Sequence, residues 1–197
     1  MEFLLAMILY ALVGAISPGP VNMIATNIAA NQGFKAALPH VCGATFAYSV
    51  IVLSAGLGLT LVFTQWPQLL SITGIVGGLF LLYIAWQIAR SDGVNNALAS
   101  EASTHSGLLA GALAQLLNPK AWLVSMAGVS LFVTDKDHQF GLAWFVGISF
   151  FMCFIGISSW AWLGHGLQAW LVGRRRIYFN WVSSALLVVS VLTIWLA

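Results

Sequence analysis

Six long apolar runs, at about residues 3–30, 37–63, 69–90, 107–133, 140–163 and 177–196, set what this chain can become. Each is close to, or longer than, the roughly 20 apolar residues that cross a bilayer as a helix. Only 6% of the residues are charged and 60% are hydrophobic. Soluble domains carry roughly 25% charged residues, so this composition cannot build a water-facing surface. In hydrocarbon every backbone polar group must pair within the protein, and long continuous apolar runs therefore become helices. A membrane barrel would need alternating segments of about ten residues, which these runs are not. The expectation is an all-α polytopic membrane protein, one transmembrane domain over residues 1–197 with about six membrane-crossing helices.

The longest polar stretch, Ser91 to Ser106 with Asp92 and Glu101 in it, reads as a loop. It divides the chain into two halves, about 1–92 and 107–197, each with three apolar runs. Three is odd, so the second half enters the membrane from the opposite side. That is the pattern of an inverted-topology repeat.

Charge near the helix ends sets orientation. Lys35, Arg90 and Arg174 to Arg176 fall on one side of the membrane, and Lys136, between Asp135 and Asp137, on the other. The basic side is read as cytoplasmic, with both termini outward. If the first run fails to cross, the termini fall on opposite sides. Glu2 and the lack of an early Lys or Arg argue against a cleavable leader. Trp66, Trp86, Trp170, Trp181 and Trp195 lie near run ends, where indole suits the interface, or pack between helices. A net charge of +2 gives no reason to expect nucleic acid, and no Cys/His spacing suggests a metal; no cofactor is expected.

Two interruptions carry the chemistry. Ser17-Pro18-Gly19-Pro20 sits in the first run and Asn118-Pro119-Lys120 in the fourth, at matching places in the two halves. Proline removes an N–H and clashes with the carbonyl four residues back. The carbonyls of Gly14, Ile16 and Gln115 should thus be released. Ser or Asn followed by Pro reads as a helix cap and first residue, here Ser17-Pro18 and Asn118-Pro119. Each run then becomes two half-helices. A half-helix N-terminus offers free N–H groups and a positive dipole end to a carboxylate, and released carbonyls offer themselves to an ammonium. A zwitterionic amino acid carries both groups. Such paired interruptions mark transport sites in membrane proteins. Lys120 would lie deep in the membrane with no Asp or Glu inside any run to offset it, which suits a ligand anion or water-filled cavity facing it.

Weaker signals surround the breaks. Asn22 and Asn27 follow the first, Gln115 precedes the second, and Tyr48 and Ser49 lie in the second run; each is a ligand contact or an interhelical hydrogen-bonding group. His40 and His165, near cytoplasmic ends, are proton carriers or merely solvated. Gly107 with Gly111, and Gly77 with Gly78, suit close helix packing. The candidate substrate-binding set is Ser17, Pro18, Gly19, Pro20, Asn22, Tyr48, Gln115, Asn118, Pro119 and Lys120.

Ile16-Ser17-Pro18-Gly19-Pro20-Val21-Asn22 resembles the Pro-Gly-Pro signature of the lysine exporter family, also called the LysE or RhtB family. Gly33-Phe34, Gly43, Gly56-Leu57-Gly58-Leu59 and Leu116-Leu117-Asn118-Pro119-Lys120-Ala121 resemble its later positions, over nearly the whole chain. The resemblance implies a bacterial inner-membrane exporter of amino acids or close derivatives, driven by proton antiport, with oligomeric state left open. Many members carry Gly-Asp where this chain has Ala47-Tyr48, so the proton-carrying acid is missing here. In that respect, and in Gly164-His165-Gly166, the chain resembles the cysteine and O-acetylserine exporter branch.

A second class of function is a transmembrane thiol–disulfide electron carrier. Cys42 and Cys153 occupy equivalent runs of the two halves. Such carriers place cysteines beside the prolines, where this chain has Ser17 and Asn118. An intramembrane hydrolase lacks a nucleophile with a nearby base.

Overall fold

The computed structural model describes residues 2–91, 104–133 and 138–196, and every element within them is helical. The first run is α1 (Glu2–Ile16) and α2 (Pro20–Gln32), bent by 60°. Gly33, at φ 93°, turns the chain in one residue into α3 (Phe34–Ser54). The second run is not one helix: it loosens into a π turn at Ala55–Leu59, where Gly58 takes φ 106°, and ends as α4 (Thr60–Gln65). Pro67 opens α5 (Pro67–Arg90), a favoured first helical position for a residue without an N–H. The fourth run is α6 (Thr104–Leu116) and α7 (Pro119–Phe132), followed by α8 (His138–Leu167) and α9 (Arg174–Leu196). α6 begins inside the expected loop; Asp92, Ala99, Glu101 and the Asp135-Lys136-Asp137 group lie outside the described residues.

By length and composition, four helices can cross a membrane among the described residues: α3 with its π turn, α5, α8 and α9. The bent pair α1 and α2 makes a fifth if it is one span. The expected six are therefore not reached on this criterion. At 1.5 Å per residue, α6 and α7 are each only about 20 Å long, short of a hydrocarbon core of about 30 Å.

The core forms where α3 packs along α6, α8 along α1, α2 and α3, and α9 along α5. Apolar side chains cannot drive this association in lipid, whose tails are equally apolar; close backbone approach does. A Cβ at Gly43 of α3 would land on the Leu108 carbonyl, and one at Gly111 of α6 on that of His40. Gly164 of α8 meets Thr26 of α2 in the same way, and Gly77 of α5 meets the Leu117 carbonyl. The outside is covered by exposed Leu, Ile, Val, Phe and Trp, as a lipid-facing surface requires. All five tryptophans expected near interfaces are exposed, and Trp195 also donates to the Gly74 carbonyl at 3.1 Å. Arg90 stacks over Trp86 and Arg175 over Trp170, at the basic ends of α5 and α9.

Candidate functional site

Both breaks exist, but the first is built differently from the sequence reading. Pro20, not Pro18, is the first residue of α2, and Gly19, not Ser17, is its cap, with no side chain capping the helix. Pro20 accepts the fixed φ of a helix start, which leaves Ser17, Pro18 and Gly19 as the link between the halves; the Ser17 N–H still returns to the Val13 carbonyl at 3.1 Å, and Gly19 is extended. The second break follows expectation. Pro119 opens α7 and the Asn118 side chain accepts from the Lys120 N–H at 3.2 Å.

The carbonyls expected to be free are taken. Gly14 accepts from Ser17 Oγ at 2.9 Å, Ile16 from Trp160 Nε1 of α8 at 2.9 Å, and Gln115 from the Asn118 N–H at 3.1 Å. Where a helix breaks inside a membrane bundle, the freed backbone oxygens are satisfied again by side chains and neighbouring N–H groups. Asn22 donates from Nδ2 back to the carbonyls of Ala15 (2.9 Å) and Ser17 (3.0 Å), tying α2 to the end of α1.

Lys120 joins the two breaks. From the first turn of α7 its Nζ donates to Ser17 Oγ at 2.6 Å, to the Ser17 carbonyl at 3.2 Å and to the Pro18 carbonyl at 3.3 Å. The approach is close enough that a Cβ at Gly19 would stand 3.4 Å from Nζ. The positive charge is thus solvated by a hydroxyl and two carbonyls at the negative end of the α1 dipole. Among the described residues the only carboxylate is that of Glu2, at the far end of α1.

Two cavities flank this contact. A small one of ≈ 40 Å³ is lined by Gly14, Ala15, Gly19, Val21, Asn22, Tyr48, Gln115, Asn118, Lys120, Ala121, Val124, Cys153 and Ile157. The N–H groups of Val21 and Asn22 belong to the first turn of α2, where no intrahelical acceptor exists, so this wall carries a half-helix N-terminus. Gln115 Oε1 is buried there without a hydrogen-bond partner. The second cavity, of ≈ 970 Å³, is lined by Pro18, Gly19, Pro20, Asn118, Pro119 and Lys120 on one side and by α5 and α9 on the other. Its α5 and α9 residues, Ser71, Gly74 and Ile75 with Ser190, Thr193 and Trp195, lie at the ends away from Arg90 and Arg174.

The expected residues divide accordingly. Gly19, Asn22, Tyr48, Gln115, Asn118 and Lys120 meet at the small cavity; Pro18, Pro20 and Pro119 face the wide one; Ser17 holds Lys120 between them. Ser49 bonds its own helix at Thr45. His40 is fully buried rather than solvated, its Nε2 3.2 Å from the Val21 carbonyl, whereas His165 is exposed beside Gln168. Both cysteines are free; Cys153 is buried and lines the small cavity, and Cys42 lines neither.

Sequence reasoning missed a polar cluster at the opposite end. Asn180 of α9 accepts on Oδ1 from Asn27 (3.0 Å) and Asn31 (2.9 Å) of α2, and donates to the Ser91 carbonyl at 3.1 Å. Asn31 also donates to the Asn27 carbonyl at 2.9 Å. Buried asparagines outside any acidic or basic motif were the available signal, and Asn27 was the one it caught. The cluster fastens α2 to α9 and to the end of α5 on the basic side, while the wide cavity opens at the other.

Comparison with known proteins places these features. The family model described as LysE type translocator matches residues 12–195. The chain is 28% identical over 163 residues to the cysteine/O-acetylserine efflux protein of Salmonella paratyphi A, covering 81% of this chain and 80% of that one. It is 29% identical over 189 residues to the protein of that name from Klebsiella pneumoniae subsp. pneumoniae, covering 93% and 92%. With that from Escherichia coli O1:K1 / APEC it shares 27% over 163 residues, 81% and 80% of the two chains. No solved structure matches it.

Proposed function

Because the chain belongs to the LysE type translocator family, we propose that it exports small neutral amino acids or their close derivatives from a bacterial cell across the inner membrane. The observation that carries the reading is the Lys120 bridge from one broken helix to the backbone oxygens of the other, beside a half-helix N-terminus. The substrate carboxylate is held by Lys120 and the free N–H groups of Val21 and Asn22. Its ammonium is held by oxygens at the end of α1.

Substrate size and charge follow from the walls. Gly14, Ala15 and Ala121 leave room for a short side chain, while Tyr48 and Gln115 offer it hydrogen bonds. A basic side chain would need a carboxylate that these walls do not have, and burying it unpaired is costly. The relatives named for cysteine and O-acetylserine efflux fit that size class. The coupling we propose is proton antiport with Lys120 as the titrating group, since Ala47-Tyr48 leaves helix α3 without the acid many family members carry there.

The architecture we propose is six crossings in two inverted three-helix repeats, α1 to α5 and α6 to α9. Its support is reciprocal packing: α3 of the first half lies along α6 and α7, and α8 of the second along α1 and α2. Export of a panel of labelled amino acids from cells with and without the protein tests the function. Faster loss of short neutral amino acids is expected. Equal loss of every compound in the panel would refute it.

A further inference from the structure

The two cavities share a wall. Gly19, Asn118, Lys120 and Val124 line both, and the Lys120 contact with Ser17 and Pro18 closes that wall. The three oxygens around Nζ are as many acceptors as an ammonium has N–H donors. Nothing in this arrangement is particular to lysine: it solvates any primary ammonium. The small cavity, at ≈ 40 Å³, has room for a water or a few and none for an amino acid. A substrate that passes from the wide cavity into the small one therefore has to displace something.

Resting on the exporter reading above, we infer that the Ser17 and Pro18 oxygens are the substrate's ammonium site, that Lys120 fills it in the empty protein, and that an amino acid enters by splicing into the Lys120–Ser17 contact. The substrate ammonium takes the oxygens and its carboxylate takes the released Lys120. A zwitterion supplies both signs at once, so no buried charge is left bare at any stage, which a low-dielectric site requires. The exchange parts the wall and joins the two cavities. An amino acid blocked at either end, by N-acylation or as its amide, completes only half of the exchange and is not carried.

Cys153 reports the state of the wall, because it lines the small cavity and not the wide one. Cys42→Ser leaves it as the single thiol. Purified protein is treated with methyl methanethiosulfonate: the thiolate attacks the sulfenyl sulfur, methanesulfinate leaves, and the S-methyl disulfide is read by mass. In this background Lys120→Ala is expected to raise the modification rate at least about tenfold, the loss of a charge-assisted contact. Propylammonium, which replaces the atoms deleted, is expected to restore slow modification, and propanol is not. Ser17→Ala, which removes the 2.6 Å contact and the hydroxyl's bond to the Gly14 carbonyl but keeps both backbone oxygens, is expected to raise the rate by a smaller factor. Unchanged rates in both variants would overturn the inference, and so would a raised rate that propylammonium fails to lower, since an unfolded protein or a mere void would behave that way. Transport is not needed for this assay. Resealing by propylammonium in a protein that exports nothing would sink the exporter reading and keep the ammonium site; export with unchanged labelling would do the reverse.

Discussion

Replacing Asn180 by Ala tests whether the cluster on the basic side holds the bundle together. Asn180 is wholly buried, and its side chain accepts from Asn27 and Asn31 and donates to Ser91. Those three partners do not suffer equally. Asn31 keeps its bond to the Asn27 carbonyl, whereas Asn27 Nδ2 loses the acceptor it has. Hydrogen bonds in membrane bundles average about 0.6 kcal/mol by double-mutant cycles, so three of them give a lower figure of about 2 kcal/mol. Orphaning the Asn27 amide adds a desolvation cost of about 1–3 kcal/mol. The expected loss is therefore about 3–5 kcal/mol, more than a hundredfold in the folding equilibrium. Reversible unfolding in mixed detergent measures it. Ser190→Ala, whose exposed hydroxyl only returns to Leu186 of its own helix, serves as the neutral control. If Asn180→Ala falls within about 0.5 kcal/mol of that control, the size of a routine surface change, the cluster is incidental and α2 is held by packing alone.

Three further expectations are independent of the cluster. Gly43→Ala drives a Cβ into the Leu108 backbone and should cost about 1–3 kcal/mol by overpacking, while Gly147→Ala, which meets nothing within 4 Å in the middle of α8, should be neutral or stabilising in the same thermal unfolding assay. Pro119→Ala restores an N–H at the start of α7 and lets α6 and α7 merge; export rates should fall several-fold while the amount of protein in the membrane, read by immunoblot, stays unchanged. Reporter fusions after Ala99 should read cytoplasm and fusions after Ala197 the opposite side, so a cytoplasmic C-terminal reporter contradicts six crossings.

The apolar runs alone determined that this protein is a bundle of membrane helices, because only helices and closed barrels pair their backbone in hydrocarbon and these runs lack the alternation of a barrel. The prolines alone located both breaks, since a missing N–H and a ring clash act locally and need no neighbour. Even the shift of the first helix start from Pro18 to Pro20 is a local outcome, which Gly19 between two prolines left ambiguous. What the runs could not show was direction around each helix axis. In water an apolar stripe points to the core, but in lipid the outside is as apolar as the inside, so Leu and Ile do not say which face meets a neighbour. Hence Asn31 and Asn180, separated by 149 residues, gave no sign that they share a bond, and Trp160 none that it would cap Ile16. Lys120 was legible as a charge with no acid to answer it. That its partners are Ser17 and Pro18, more than a hundred residues away, was decided by α6 and α7 packing the second break against the first, where the open end of α1 offers oxygens and the bilayer offers none.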